Sequence, residues 1–385
     1  MKINYENYLP FYSRPTIIEN SKEAIKENIA NIYNFLNKTN KKVKICAIIK
    51  SNAYGHGLLH FGSILNKIKY VSMLGVTSIE EAILLREKGV TKPILLLGSI
   101  YPFENFKYLI EYKITPTIAS SLILKELEKF CKKQNCRINF HVKIDTGMGR
   151  IGILPENVES FINEYKSCKN VMCEGLYTHF SSAAEDKEYT FYQLGLFKDV
   201  YKKFLLSGIK PKYVHAANSA ALLLYPQTYF NMVRPGLIIY GLLPFKDAKR
   251  IIDIKRVLTL KSKIVFLKTL PKGKYISYSK TYCTTHRTKV ATVPIGYADG
   301  ILRKLSNVGK VLVKGCFCNI IGRVTMDMIM VDVTGVKDVK VGDEVVLIGQ
   351  QGNNTISAED LALWSETINY EITTRLSERI PRIFV

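Results

Sequence analysis

Seven residues with reactive or hydrogen-bonding side chains stand at the ends of short apolar runs. Lys50 closes IIK, Lys143 and Asp145 lie at the end of HVKID, and His179 follows GLYT. His215 and Asn218 lie in HAAN, and Arg234 lies in MVRPG. A lysine that leaves an apolar strand for the small-residue turn SNAYGHG is a partly desolvated amine. Desolvation lowers its pKa and makes it a nucleophile or base. One lysine among many is more often a solvated strand end, and one histidine more often a satisfied core residue. The force of the pattern lies in its repetition along the chain.

Repetition at strand ends has a structural meaning. Apolar runs at 43–49, 71–76, 93–98, 115–119, 138–144, 171–177, 213–217 and 232–241 alternate with helical patterns. SIEEAILLREKG, SSLILKELEKFCKK and DKEYTFYQLGLFKDVYKKFLLSG are three of these. The alternation predicts parallel β/α units, and the number of runs predicts a TIM-type (β/α)8 barrel, with an open doubly wound sheet as the alternative. In a barrel all those strand ends meet on one face. Beyond residue 245 the runs are β-branched and punctuated by turn residues, as in VLTLKSKIVFLKTL, KVATVPIG and DEVVLIG. This predicts a second, mostly-β domain, with 1–246 as the barrel and 247–385 as the β domain. Ser357 and Asp360 have capping-box spacing for a helix within it.

The composition is that of a globular protein, at 385 residues with 47% hydrophobic and 23% charged. Its net charge of +22 raises the question of a nucleic-acid or anionic-membrane partner. The basic residues are mostly lysines, scattered and mixed with apolar neighbours, so the reading is a solvated surface and no nucleic acid. The eight cysteines include no Cys-x-x-Cys, and Cys316-x-Cys318 lacks a second pair, so no metal site is expected. No run approaches the ~18 apolar residues of a membrane span, and MKINYENYLPFYSR has no apolar leader core. A cytoplasmic protein with reduced thiols is expected.

The decade IIKSNAYGHG resembles the pyridoxal-phosphate attachment motif of the alanine racemases. HVKIDTGMGRIG, GLYTHFSSAAE, HAANSAALL and MVRPGLIIYG resemble that family's barrel motifs in order. ISYSKTY, VPIGYADG, IGRVTMDMIMVDVT and RIPRIF resemble those of its β domain. The resemblance spans nearly the whole chain and implies the same two-domain fold. It also implies a pyridoxal 5′-phosphate enzyme that interconverts L- and D-alanine and supplies D-alanine for peptidoglycan. A broad-specificity or serine-preferring racemase of the same fold is the alternative.

Residue by residue, the resemblance implies Lys50 as Schiff-base lysine and first base, and Tyr278 as the opposed base. Arg234 would face the cofactor's ring nitrogen, held by His215. Tyr54, Ser219 and Gly236 would bind the phosphate, and Asn218 and His179 would line the cofactor pocket. Arg150 and the Met326 amide would hold the substrate carboxylate, with Tyr297 at the entry. Lys143 matches a lysine that is often carbamylated. A homodimer with composite sites is also implied. Three positions depart from the family pattern: Thr325 replaces a common Cys, Ser279 a common Gly, and Glu378 a tyrosine on the phosphate.

Overall fold

The computed structural model describes residues 14–39 and 42–385. Residues 1–13, most of the segment read for a leader, lie outside them. The described chain forms two compact units. One comprises Ile25–Ala53 and Leu58–Lys255; the other gathers the described residues up to Ala24, Tyr54–Gly57 and Arg256–Val385. The cut expected after residue 246 is therefore crossed twice, by a first strand and by a four-residue loop.

The first unit is a nearly closed parallel sheet. Its strands are β1 (Lys44–Ile48), β2 (Val71–Val76), β3 (Ile94–Leu96), β4 (Ile114–Thr115) and β5 (Thr117–Ile118). They continue as β6 (Ile138–Lys143), β7 (Val171–Tyr177), β8 (Tyr213–His215) and β9 (Met232–Val233). The hydrogen-bonded order is β4-β3-β2-β1-β9-β8-β7-β6-β5. Nine strands stand where eight runs were read, because Pro116 splits the run TPTIA. Proline has no N–H to give the ladder. The half before it pairs with β3 and the half after it with β6. The two ends of the sheet are thus adjacent in sequence. Helices surround these strands, so Val71, Met73, Leu74 and Val76 are all buried. Burial on both faces is why these strands read as continuous apolar runs.

The helical patterns take the expected form. Helix Ser121–Gln134 is capped by Ser120 and ends at Asn135 in the left-handed conformation. Helix Lys187–Leu206 is capped by Asp186, and Gly208 follows with φ 84°.

The second unit is mostly antiparallel. Its largest sheet runs Cys316–Asn319, Lys310–Val313, Glu344–Gln351, Leu258–Lys263, Ile17–Asn20, Arg382–Phe384. The run VLTLKSKIVFLKTL divides into two strands in separate sheets, Leu258–Lys263 and Phe266–Leu270. Ile17–Asn20 lies between Leu258–Lys263, antiparallel, and Arg382–Phe384, parallel. Helix Ala358–Trp364 starts at the complete capping box of Ser357 and Asp360. All eight cysteines are free thiols. Among the described residues no helix is long and apolar enough to cross a membrane, and no cluster of side chains suits a metal ion.

Candidate active site

Lys50 stands where β1 gives way to a turn of unusual backbone. Ser51, Asn52, Ala53 and Tyr54 have φ of 54°, 53°, 53° and 52°. Left-handed conformation costs roughly 1–2 kcal/mol per residue with a side chain, so four in succession need support. The Asn52 side chain accepts from the Leu58 amide at 2.7 Å. The Ala53 amide donates to Ile49 at 3.0 Å, and the Asn52 amide to Glu81 at 3.1 Å. Burial lowers the Lys50 pKa, the nearby Arg150 charge lowers it further, and Glu81 opposes both.

Lys143, at the end of β6, is only 3% exposed. Burial, then the Arg150 and Arg234 charges, bring its pKa down to about 8. Two residues on, Asp145 shapes the loop that carries Arg150. One carboxylate oxygen accepts from the amides of Gly147, Met148 and Gly149 at 3.0, 2.8 and 3.1 Å. The other accepts from the Arg150 amide at 3.1 Å. Burial favours the protonated acid, but these four donors outweigh it and hold the carboxyl below its usual range.

Arg234 follows β9 and is buried. Its Nη1 donates to His215 Nδ1 at 2.9 Å. Its Nη2 donates to the carbonyls of Thr178 and Ala216 at 2.6 and 3.0 Å and lies 3.4 Å from His179 Nδ1. Since a guanidinium only donates, His215 Nδ1 must accept, and the proton of that ring sits on Nε2. It is shared with His141 Nδ1 at 2.9 Å. Burial, reinforced by the Arg234 charge, keeps His141, His179 and His215 neutral, with His141 brought down to about 3. The Tyr177 ring stacks on His215 at 4.7 Å, and the guanidinium lies 5.2 Å from the same ring. Gly175 makes room for this chain: a Cβ there would sit 2.4 Å from the His141 ring.

A further group lies at the start of helix Ser219–Leu224. Asn218 caps it, its side chain accepting from the Ala221 amide at 3.0 Å. The Gly236 amide donates to Ser219 Oγ at 2.9 Å, which leaves the serine hydroxyl hydrogen as the outward donor. Tyr54 belongs to the second unit, where burial pushes its phenol up to about 12.

Tyr278, Tyr297 and Met326 also belong to the second unit, on turns that meet. The Tyr297 amide donates to Thr325 and the Ala298 amide to Met326, both at 3.0 Å. Gly296 is required there, since a Cβ would lie 2.3 Å from the Thr325 carbonyl. Ser277 Oγ ties the Tyr278 turn to the Arg323 carbonyl at 2.7 Å. All three side chains are exposed, Tyr278 by 68%. Thr325 Oγ1 accepts from the Met328 amide at 3.1 Å. Ser279 keeps φ 60°, the backbone that a glycine would adopt more easily. Glu378 is exposed.

The electrostatics therefore bring together Lys50, Lys143, Arg150, His179 and Arg234, all in the barrel unit. Sequence reading missed the residues that arrange them. Glu81 lies outside every motif quoted, His141, Tyr177 and Thr178 lie inside motifs without a role assigned to them, and Asp145 was read as a strand-end group, not as the scaffold of the Arg150 loop.

Residues 21–244 match the family model of the alanine racemase N-terminal domain, and 257–384 that of the C-terminal domain. An alanine racemase of Halothermothrix orenii is 43% identical over 96% of this chain and 97% of its own. One from Methanococcus maripaludis is 39% identical, covering 97% and 99%. Among solved structures, alanine racemase of Clostridium difficile 630 superposes with a TM-score of 0.90 at 39% identity, covering 97% of each chain. That of Bacillus anthracis with bound L-Ala-P gives 0.91 at 37%, covering 98% of this chain and 96% of the other.

Proposed function

The chain belongs to the alanine racemase family, and from that premise we propose that it interconverts L- and D-alanine with pyridoxal 5′-phosphate, using Lys50 and Tyr278 as opposed bases. The observation that carries this reading is a half-buried lysine whose pKa is lowered by burial, in the same barrel unit as a buried arginine held by a histidine and two carbonyls. The donor set suits the cofactor. Three hydrogen bonds leave Arg234 with Nε–H and one Nη1 hydrogen unpartnered among the described residues, either of which could face a ring nitrogen. The Ser219 hydroxyl, with Tyr54, can donate to a phosphate, and Asn218 and His179 would border the ring. The amide of Gly236 acts through Ser219.

When bound, the cofactor supplies an electron sink next to the substrate's α-carbon. Lys50 would hold it through Nζ and, once released, take or return the α-proton as a neutral amine. Arg234 keeps its proton at neutral pH, although burial brings its pKa down to about 10, so it would donate a hydrogen bond to the ring nitrogen and leave that nitrogen unprotonated. Arg150 and the Met326 amide would bind the substrate carboxylate, with Tyr297 at the entry. Racemisation needs a base on each face of the α-carbon, which is the role assigned to Tyr278. An exposed phenol is a poor base site until it is covered, and a second copy of the chain is the proposed cover, making a homodimer with composite sites.

Lys143 fits carbamylation. A fraction of its amine is neutral near pH 7 to 8, which is the form that attacks carbon dioxide. A new N–C bond forms, a proton leaves to solvent, and an anion replaces a cation between Arg150 and Arg234. A cytoplasmic location, with D-alanine passing to peptidoglycan, accords with eight free thiols.

The test is racemisation by the cofactor-loaded protein over a panel of L-amino acids, followed by chiral chromatography. Alanine turning over fastest supports the proposal. Faster turnover of serine or of several longer substrates would transfer it to the broader-specificity reading, and inactivity on all of them would end it.

A further inference from the structure

Helix Ile79–Glu87 begins at Ser78-Ile79-Glu80-Glu81, the spacing of a capping box. Ser78 performs its half, its Oγ accepting from the Glu81 amide at 3.2 Å. In the complete box at Ser357, the acidic residue reaches back and accepts from the cap amide at 2.7 Å. Glu81 does not reach back. Its Oε2 accepts from the Thr77 amide at 3.2 Å, and its Oε1 crosses to the Asn52 amide at 3.1 Å. Thr77 directly follows β2 and Asn52 lies in the left-handed turn after β1, so one carboxylate bridges two neighbouring strand ends.

We propose that Glu81 is a positioning residue that clamps the left-handed turn of Lys50 to the end of β2 and so fixes where the Lys50 side chain leaves the barrel wall. The assignment rests on the reading of Lys50 as base and cofactor-bearing lysine. Both partners of Glu81 are donors, and a carboxylate offers an acceptor to each. Glutamine offers one acceptor and turns an NH2 toward the second donor, so it can satisfy only half of the bridge. The clamp also answers the backbone strain, because the amide it fixes belongs to the second of four residues with positive φ. Its charge acts on the same amine. Of the groups facing Lys50, Arg150 and Lys143 are cationic and His179 is neutral, which leaves Glu81 as the anion that favours the ammonium form.

The experiment measures amide exchange by mass spectrometry on the full chain without cofactor, for wild type, Glu81→Ala, Glu81→Gln and the exposed neighbour Glu80→Ala. Exchange across 50–58 should accelerate about tenfold in Glu81→Ala, less in Glu81→Gln, and not in Glu80→Ala. In the same preparations, the pH midpoint for reductive methylation of Lys50 by formaldehyde and cyanoborohydride should fall in Glu81→Gln, since an opposing charge is gone. Cofactor affinity should weaken about tenfold in Glu81→Ala. Wild-type exchange in both Glu81 variants overturns the clamp, as does faster exchange with unchanged Lys50 titration and cofactor affinity. If Glu81→Ala does not fold, Glu81→Gln carries the comparison. If wild type itself binds no cofactor, the functional reading fails, and exchange and methylation still decide the clamp.

Discussion

Arg234 and Tyr278 are both assigned to the chemistry, yet their surroundings are opposite. Arg234 is buried, spends its donors on two carbonyls and a histidine, and is backed by a second histidine and a stacked tyrosine. Tyr278 is mostly exposed, on a turn held by the hydroxyl of the preceding residue, Ser277. The barrel unit fixes its groups with its own side chains. In the second unit the turns that carry Tyr278, Tyr297 and Met326 are held through backbone groups and a serine hydroxyl, and those three side chains are exposed. A buried group therefore serves stability and chemistry together, and an exposed one serves chemistry alone.

Four substitutions probe that contrast, beginning with the largest effect. Lys50→Ala should lower racemisation by at least about 10⁴-fold and abolish borohydride fixation of the cofactor to the chain. Retention of a fixed cofactor elsewhere would move the attachment site. Tyr278→Phe should cost about 10²–10⁴-fold in turnover, unequally for proton exchange from the two enantiomers. Its unfolding free energy should shift by less than about 0.5 kcal/mol, as expected for an exposed side chain. A loss of stability comparable with the loss of activity would show that the contrast is drawn wrongly.

Arg234→Met should do both kinds of damage. It leaves the His215 Nδ1 and two carbonyls unpaired in the interior, for roughly 2–4 kcal/mol of lost stability in urea titrations, together with weaker cofactor retention. Unchanged stability would mean that the buried chain relaxes freely. The smallest effect concerns Lys143 in carbonate-free buffer. Its folded pKa of about 8 lies below its ordinary 10.5. The unfolded chain then binds more protons between those values, and stability should rise with pH across that window, by up to roughly 3 kcal/mol. Lys143→Met should remove the rise; a slope of the same size in that variant would assign it to another group.

The barrel was legible because its strands are buried on both faces and leave uninterrupted apolar runs. The ninth strand was not, since Pro116 interrupts a run by the loss of one N–H, without changing its apolar character. Lys50 and Arg234 could be read as types at strand ends, and Arg150 only as a residue of a family motif. What makes them a site was not. Asp145 folds the Arg150 loop through four amides within the next five residues, a local role that its place at a strand end did not reveal, and His141 meets His215 across separate strands, a contact that no local spacing encodes. Ser78 and Glu81 show a sharper limit. Their spacing is that of a helix start, and the helix does start there, but the acid's own bonds go to the neighbouring Thr77 amide and across to the turn after another strand.

The strand Ile17–Asn20 has a bearing on how the chain is made. Its antiparallel partner begins at Leu258, roughly 240 residues later, and its parallel partner only at Arg382. At synthesis rates of about 5–20 residues per second, the strand waits roughly 12–50 s with both hydrogen-bonding edges open. Throughout that wait the barrel segments emerge and can pair locally, whereas this strand has no sheet to join. Until those partners emerge, its open edges can pair wrongly with another nascent copy, and a holding chaperone would have that time to act.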